Sequence, residues 1–157
     1  MSPPLGYVHA DPGRGGAVLR KIRTSESIEA LKKVPLFAGC SPSELDKILG
    51  LTTNSAVHAG QVLCQEGHIG REFFVLMDGT ARVTSERGGD TEVGPGAFFG
   101  ELALLNDGPR SKTVTMLTDG QVLVMTGTEF RELLRVSPGI AVFMLGVLAD
   151  RIRAARD

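Results

Sequence analysis

Between Asn54 and Gly127 apolar residues come in short runs, cut by glycines at 60, 67, 70, 79, 88, 89, 94, 96, 100, 108, 120 and 127. The runs SAVHA, QVLCQEG, EFFVLMDG, TARVTSE, TEVG, TVTMLTD and QVLVMTG are rich in Val, Leu, Phe and Thr. Such runs fit a pleated, half-buried surface and predict strands. RGGD at 87–90 predicts a hairpin turn. Turn signals every 8–12 residues or so predict a closed sandwich or barrel rather than a parallel α/β sheet.

On either side the period changes to that of a helix. Ser25 or Ser27 can cap a helix through about Lys33, with Ile28 and Leu31 as its apolar stripe and Pro35 as its stop. SPSELDKILGL restarts one, with Ser41 at the N-cap, Pro42 at the first helical position and Glu44 completing a capping box. After Gly127, Thr128 with Glu129 opens a helix that aligns Phe130, Leu133 and Leu134 on one face. Pro138 starts a longer one, in which Ile140, Phe143, Met144, Val147, Leu148 and Ile152 recur at helical spacing. Its upper part is apolar nearly all round, so at least two of its faces should be covered. Residues 1–24, rich in Gly, Pro and Arg and without a period, read as a flexible tail. The expected organisation is that tail followed by one domain at 25–157: helices over 25–52, a barrel over 54–127 and helices over 128–157.

Composition narrows the function. A chain of 157 residues is long enough to bury one sizeable core. A formal net charge of −1 gives no electrostatic reason to expect nucleic acid or an anionic membrane as partner. The longest apolar run, GIAVFMLGVLA at 139–149, falls short of the roughly 20 residues that span a bilayer. With only Cys40 and Cys64, and no signal-peptide layout at the start, the expected location is the cytoplasm. His9, His58 and His68 are dispersed, which argues against a cupin-type metal site. Neither a Gly-x-x-x-x-Gly-Lys loop nor a Gly-x-Ser-x-Gly elbow is present. The expectation is a protein without catalytic residues, metal or cofactor.

The chemistry concentrates in FFGELALLNDGPRSKT at 98–113. Gly100 allows a tight turn, and a helix begun by ELAL would point the free amides of Glu101, Leu102 and Ala103 outward as an anion site. Beyond the NDGP turn, Arg110 can return beside those amides. A guanidinium fork with a helix N-terminus suits a phosphate, and Glu101 suits vicinal hydroxyls of a ribose. A ligand carrying both is a nucleotide. The competing reading is an internal Glu101–Arg110 ion pair that locks the loop.

VGPGAFFGELALLNDGPRSKTV resembles the phosphate-binding cassette of the cyclic nucleotide-binding domain family, and EGHIGREFFVLMDGTARV is similar to the glycine-spaced strands ahead of it. That family includes the bacterial catabolite activators, the regulatory subunits of cAMP-dependent kinase and the cyclic-nucleotide-gated channels. The resemblance covers roughly Leu36 to Ile152. It implies a mainly β fold: an eight-stranded antiparallel jelly-roll barrel with N-terminal helices and a C-terminal helix pair. It also implies that Glu101 accepts from the ribose 2′-hydroxyl and Arg110 pairs with the cyclic phosphate. Leu102, Ala103 and Ser111 would donate main-chain amides, while Gly100 lets the backbone approach closely. Val83, Phe98, Leu148, Arg151 and Ala155 are the implied pocket wall or lid. Some positions depart from the family pattern: Lys112 replaces a small residue, and Arg71 stands where an acid is common. Ala155 and Arg156 occupy the place of a Thr-Ser pair that meets adenine in the catabolite activators.

The implied function is a cyclic nucleotide sensor whose C-terminal helix changes position on binding. cAMP is the expected ligand, with cGMP as the alternative through the Ser111 hydroxyl. As the chain stops at Asp157, output is expected through an effector protein or a homodimer formed by the C-terminal helix, unless the chain is a fragment of a longer regulator. The reading from another class is an interaction domain with a vestigial pocket that docks a partner through its last helix.

Overall fold

The structure, a computed structural model, describes residues 24–100, 104–105 and 108–156. The predicted tail as far as residue 23 and the residues Glu101, Leu102 and Ala103 lie outside the described residues. Two helices come first, α1 (Thr24–Lys32) and α2 (Pro42–Gly50), with a 3-10 turn at Pro35–Phe37 between them. Eight strands follow: β1 (Thr53–Val57), β2 (Val62–Cys64), β3 (Glu72–Asp78), β4 (Ala81–Thr84), β5 (Asp90–Val93), β6 (Phe98–Phe99), β7 (Thr113–Met116) and β8 (Gly120–Thr126). Helices α3 (Gly127–Val136) and α4 (Pro138–Arg156) complete the described chain.

Local chemistry sets the helix starts. At α2, Ser41 Oγ accepts from the Glu44 amide at 3.1 Å while the Ser41 amide donates to Glu44 Oε1 at 2.9 Å. This is the predicted box. The same device opens α3 two residues earlier than predicted, on Thr126 rather than Thr128. Thr126 Oγ1 accepts from the Glu129 amide at 3.2 Å, and the Thr126 amide donates to Glu129 Oε1 at 2.9 Å. The last residue of β8 is thus also the cap of α3, which leaves Thr128 inside the first turn. Helix α1 already runs from Thr24, so Ser25 and Ser27 lie within it rather than ahead of it.

The strands form two four-stranded antiparallel sheets, ordered β1-β8-β3-β6 and β2-β7-β4-β5. Of the sandwich or barrel that the turn spacing allows, they form two separate ladders and do not close into a barrel. The class is as predicted: mainly β, in the jelly-roll arrangement, with helices on the flanks. Sequence reading passed over β6, which spans two residues, Phe98 and Phe99, opposite Val75 and Phe74.

Two hydrophobic clusters explain how the layers hold. Phe74, Leu76 and Phe99 join Leu63, Val114 and Met116 between the sheets. Phe73, Val75 and Phe98 point the other way, into a cluster with Leu36, Phe37, Leu45, Ile48, Phe130, Leu133, Ile140 and Met144. β3 is therefore buried on both faces, which is why EFFVLMD reads as a nearly unbroken apolar run. The helices from both ends of the described chain share one layer on the outer face of sheet β1-β8-β3-β6. Phe73 meets Phe98 and Phe130 there with ring centroids 5.9 and 4.7 Å apart. α3 and α4 meet at a 108° bend, and no single helix among the described residues is long and apolar enough to cross a membrane.

Candidate functional site

Arg110 is among the few charged or polar residues in the buried interior, at 4% exposure. Backbone pairing fixes its position: its amide donates to the His68 carbonyl at 2.8 Å, and its carbonyl accepts from the Gly67 amide at 2.9 Å. Ile69 and Pro109 form an antiparallel β-bridge next to these rungs. The turn ahead of β3 and the end of the cassette loop are thereby zipped together. The side chain then runs inward, with its guanidinium carbon 5.9 Å from the centre of the Phe74 ring.

The fork is held asymmetrically. Nη2 donates to the Glu72 carbonyl at 2.8 Å and stands 3.7 Å from Glu72 Oε2. Nη1 is buried and has no hydrogen-bond acceptor among the described residues. A donor left this way costs on the order of 1–3 kcal/mol, more for a charged group, so such an atom calls for an explanation. Space for the fork comes from two glycines. A Cβ on Gly70 would overlap Nε, and one on Gly100 would overlap Nη1 and lie 2.6 Å from the Glu72 carbonyl oxygen. Gly100 also has a φ of 94°, a conformation that favours glycine. Nη1 and the Gly100 backbone therefore face each other, with the cassette leaving directly from that point. A buried guanidinium edge beside main chain free of side-chain bulk suits a flat or tetrahedral oxyanion.

The cyclic nucleotide-binding domain model matches residues 55–137 of this chain. That span is more than half of the sequence and holds the whole Arg110 cradle. The chain belongs to this family. Within it, a cyclic nucleotide-gated potassium channel of Mesorhizobium japonicum is 36% identical over 122 residues, covering 78% of this chain and 34% of the channel. A cyclic AMP receptor protein of Thermus thermophilus is 29% identical over 130 residues, covering 80% of this chain and 60% of the receptor. The crystal structure of Thermus thermophilus catabolite activator protein superposes with a TM-score of 0.69 at 29% identity, over 78% of this chain and 60% of that one. This chain thus corresponds to one portion of these longer relatives.

Other residues expected at the family's site fall in different places. Val83, on β4, packs partly buried against the cluster between the sheets, on the same side as Phe74. Phe98 lies on the opposite side of its sheet, in the cluster under the helices. Arg151 follows it there, with its guanidinium carbon 5.5 Å from the Phe98 ring centre. Leu148 is half-buried on α4, and Ser111 and Lys112 are both exposed. The structure does not describe the placement of Glu101, Leu102 or Ala103, nor the Ala155 side chain. Leu104 and Leu105 are helical, as the ELAL reading expects of the segment's end.

Gly70 and Glu72 escaped sequence reasoning. Gly70 was one glycine among many, and nothing local distinguished it. Glu72 is 38 residues from Arg110 along the chain and meets it only through the fold. It also lines a groove of about 520 Å³ with Gly70, Leu104, Gly108, Thr126 and Arg131. That groove opens beside Arg110, toward the start of α3, and the arginine itself does not line it. Among the described residues no group of three or more His, Cys, Asp or Glu could hold a metal ion.

Proposed function

We propose that this chain is a cyclic nucleotide sensor, a binding module without catalysis of its own, acting in the cytoplasm. The observation that carries the reading is the open Nη1 edge of buried Arg110 opposite Gly100. The cyclic phosphate sits against that edge, the amides of Leu102, Ala103 and Ser111 complete its cradle, and Glu101 takes the ribose hydroxyl. cAMP is the favoured nucleotide, in keeping with the cyclic AMP receptor among the relatives; cGMP is the alternative, through Ser111.

Output passes through α4. Its first half is anchored by buried Ile140 and Met144, whereas the described side chains from Ala149 to Ala154 are exposed. A half-anchored helix can be redistributed by a ligand that binds its two positions unequally, and by no more than that difference. Val142, Leu145 and Ile152 are 68%, 65% and 60% exposed. With Ala149 they fall at the alternating three- and four-residue spacing of a coiled-coil seam, which favours a second copy of this chain as partner over an unrelated effector.

Calorimetric titration of the purified chain with cAMP and cGMP tests the reading. Micromolar or tighter binding of either supports it. Binding weaker than millimolar for both would leave an interaction domain that docks partners through α4.

A further inference from the structure

One carboxylate stands against the proposed phosphate-binding arginine. The Glu72 side chain is 13% exposed, with Oε2 3.7 Å from Arg110 Nη2. Its own main-chain oxygen accepts from that nitrogen, so the Nη2 edge is held even without the carboxylate. The carboxylate's contribution is therefore charge, not placement. A phosphate arriving at Nη1 must share one positive charge with an anion already beside it.

Several charged groups surround Glu72. Arg71 precedes it, Arg110 faces it, and Arg131 of α3 lines the same groove. Glu129 of α3 is engaged by the Thr126 amide, and His68 is exposed in the turn ahead of β3. Burial pushes the Glu72 carboxyl above its ordinary value of 4.5, against the downward pull of Arg110 and Arg71. The groove gives the carboxyl contact with solvent for proton exchange.

Resting on the reading of Arg110 as the phosphate-binding group, we infer that Glu72 is a built-in competitor for that arginine, and that nucleotide binding is coupled to proton uptake by its carboxylate. Before binding, the carboxylate balances the guanidinium. When the cyclic phosphate takes a share of that charge, the carboxylate loses its counter-ion and accepts a proton from buffer, becoming a neutral acid. Binding thus raises the carboxyl's pKa further. Affinity then rises as pH falls through the pKa of the bound form, and levels off below that of the free form. The window opens above the ordinary glutamate value of 4.5, because burial has already moved the group upward.

The test is calorimetry of the full chain with cAMP, across pH and in buffers of different ionisation heat. The wild type should take up a fraction of a proton on binding and bind more tightly as pH is lowered from neutral. Glu72→Gln should bind about three- to tenfold more tightly at neutral pH, with a flat pH profile and no buffer-dependent heat. Weaker binding by Glu72→Gln, or wild-type binding with no proton uptake, overturns the competitor role while leaving the sensor reading intact. Absence of any wild-type binding to cAMP or cGMP overturns both. Should Glu72→Gln fail to fold, the wild-type buffer series decides alone.

Discussion

Phe73 and Phe74 are neighbours on β3, yet they serve opposite sides of the molecule. Phe74 belongs to the cluster between the sheets and lies under the Arg110 guanidinium. Phe73 belongs to the cluster under the helices and packs on Phe98 and Phe130. The inner face is where a buried charge is held, by backbone rungs and two glycines. The outer face holds no buried charge among the described residues and secures the helices that carry the proposed output. A strand buried on both faces thus separates the arginine's cradle from the helix layer.

Separation of the two faces makes graded predictions. The largest effect is expected at the centre of the outer cluster: Phe130→Ala should lose about 3–5 kcal/mol of unfolding free energy in denaturant titration. Its folded fraction should keep cAMP affinity within a few-fold. A fall in affinity matching the loss of stability would break the comparison. Next comes the inner face. Arg110→Ala should weaken cAMP on the order of a hundredfold, since charged hydrogen bonds contribute roughly 1.5–3 kcal/mol. Circular dichroism should show the fold retained.

A smaller effect on the same face is expected from Gly70→Ala. The added methyl displaces Nε, and overpacking of this kind costs roughly 1–3 kcal/mol, so affinity should drop about tenfold. Unchanged affinity would mean that the fork's placement is not what binds. The smallest effect lies away from both clusters. Ser41→Ala should cost about 1 kcal/mol of stability and nothing in affinity. The Ser41 amide also holds the Glu44 carboxyl below its ordinary value. A depressed folded-state pKa gives stability that is present above the unfolded value and fades as pH falls through the folded one. An acid titration of unfolding should therefore lose part of its slope in Glu44→Gln, and keep most of it in Ser41→Ala, which retains the amide.

Much of this arrangement was legible in the sequence because its cues are local. Valine- and phenylalanine-rich runs cut by glycine marked seven of the eight strands, and Ser-Pro-Ser-Glu marked the start of α2. Arg110 stood out as a lone guanidinium behind Gly-Pro. What escaped depends on tertiary contact. A two-residue strand such as β6 has no alternation to phase, so nothing local assigns Phe98 to the helix side and Phe99 to the interior. The cap of α3 was misplaced because Thr126 serves both β8 and the helix, whereas Thr128 carries the same side chain two residues on. Glu72 reaches Arg110 only once β3 and the cassette loop are zipped, and Arg71 beside it carries the opposite charge.

The most direct test of the central claim watches the arginine itself, through side-chain N–H resonances of ¹⁵N-labelled protein during a cAMP titration. The Arg110 guanidinium signals should move with the nucleotide, saturate with the calorimetric affinity, and be lost in Arg110→Ala. If cAMP saturates the protein while those signals stay where they were, the phosphate is bound elsewhere and the assignment of Arg110 is wrong.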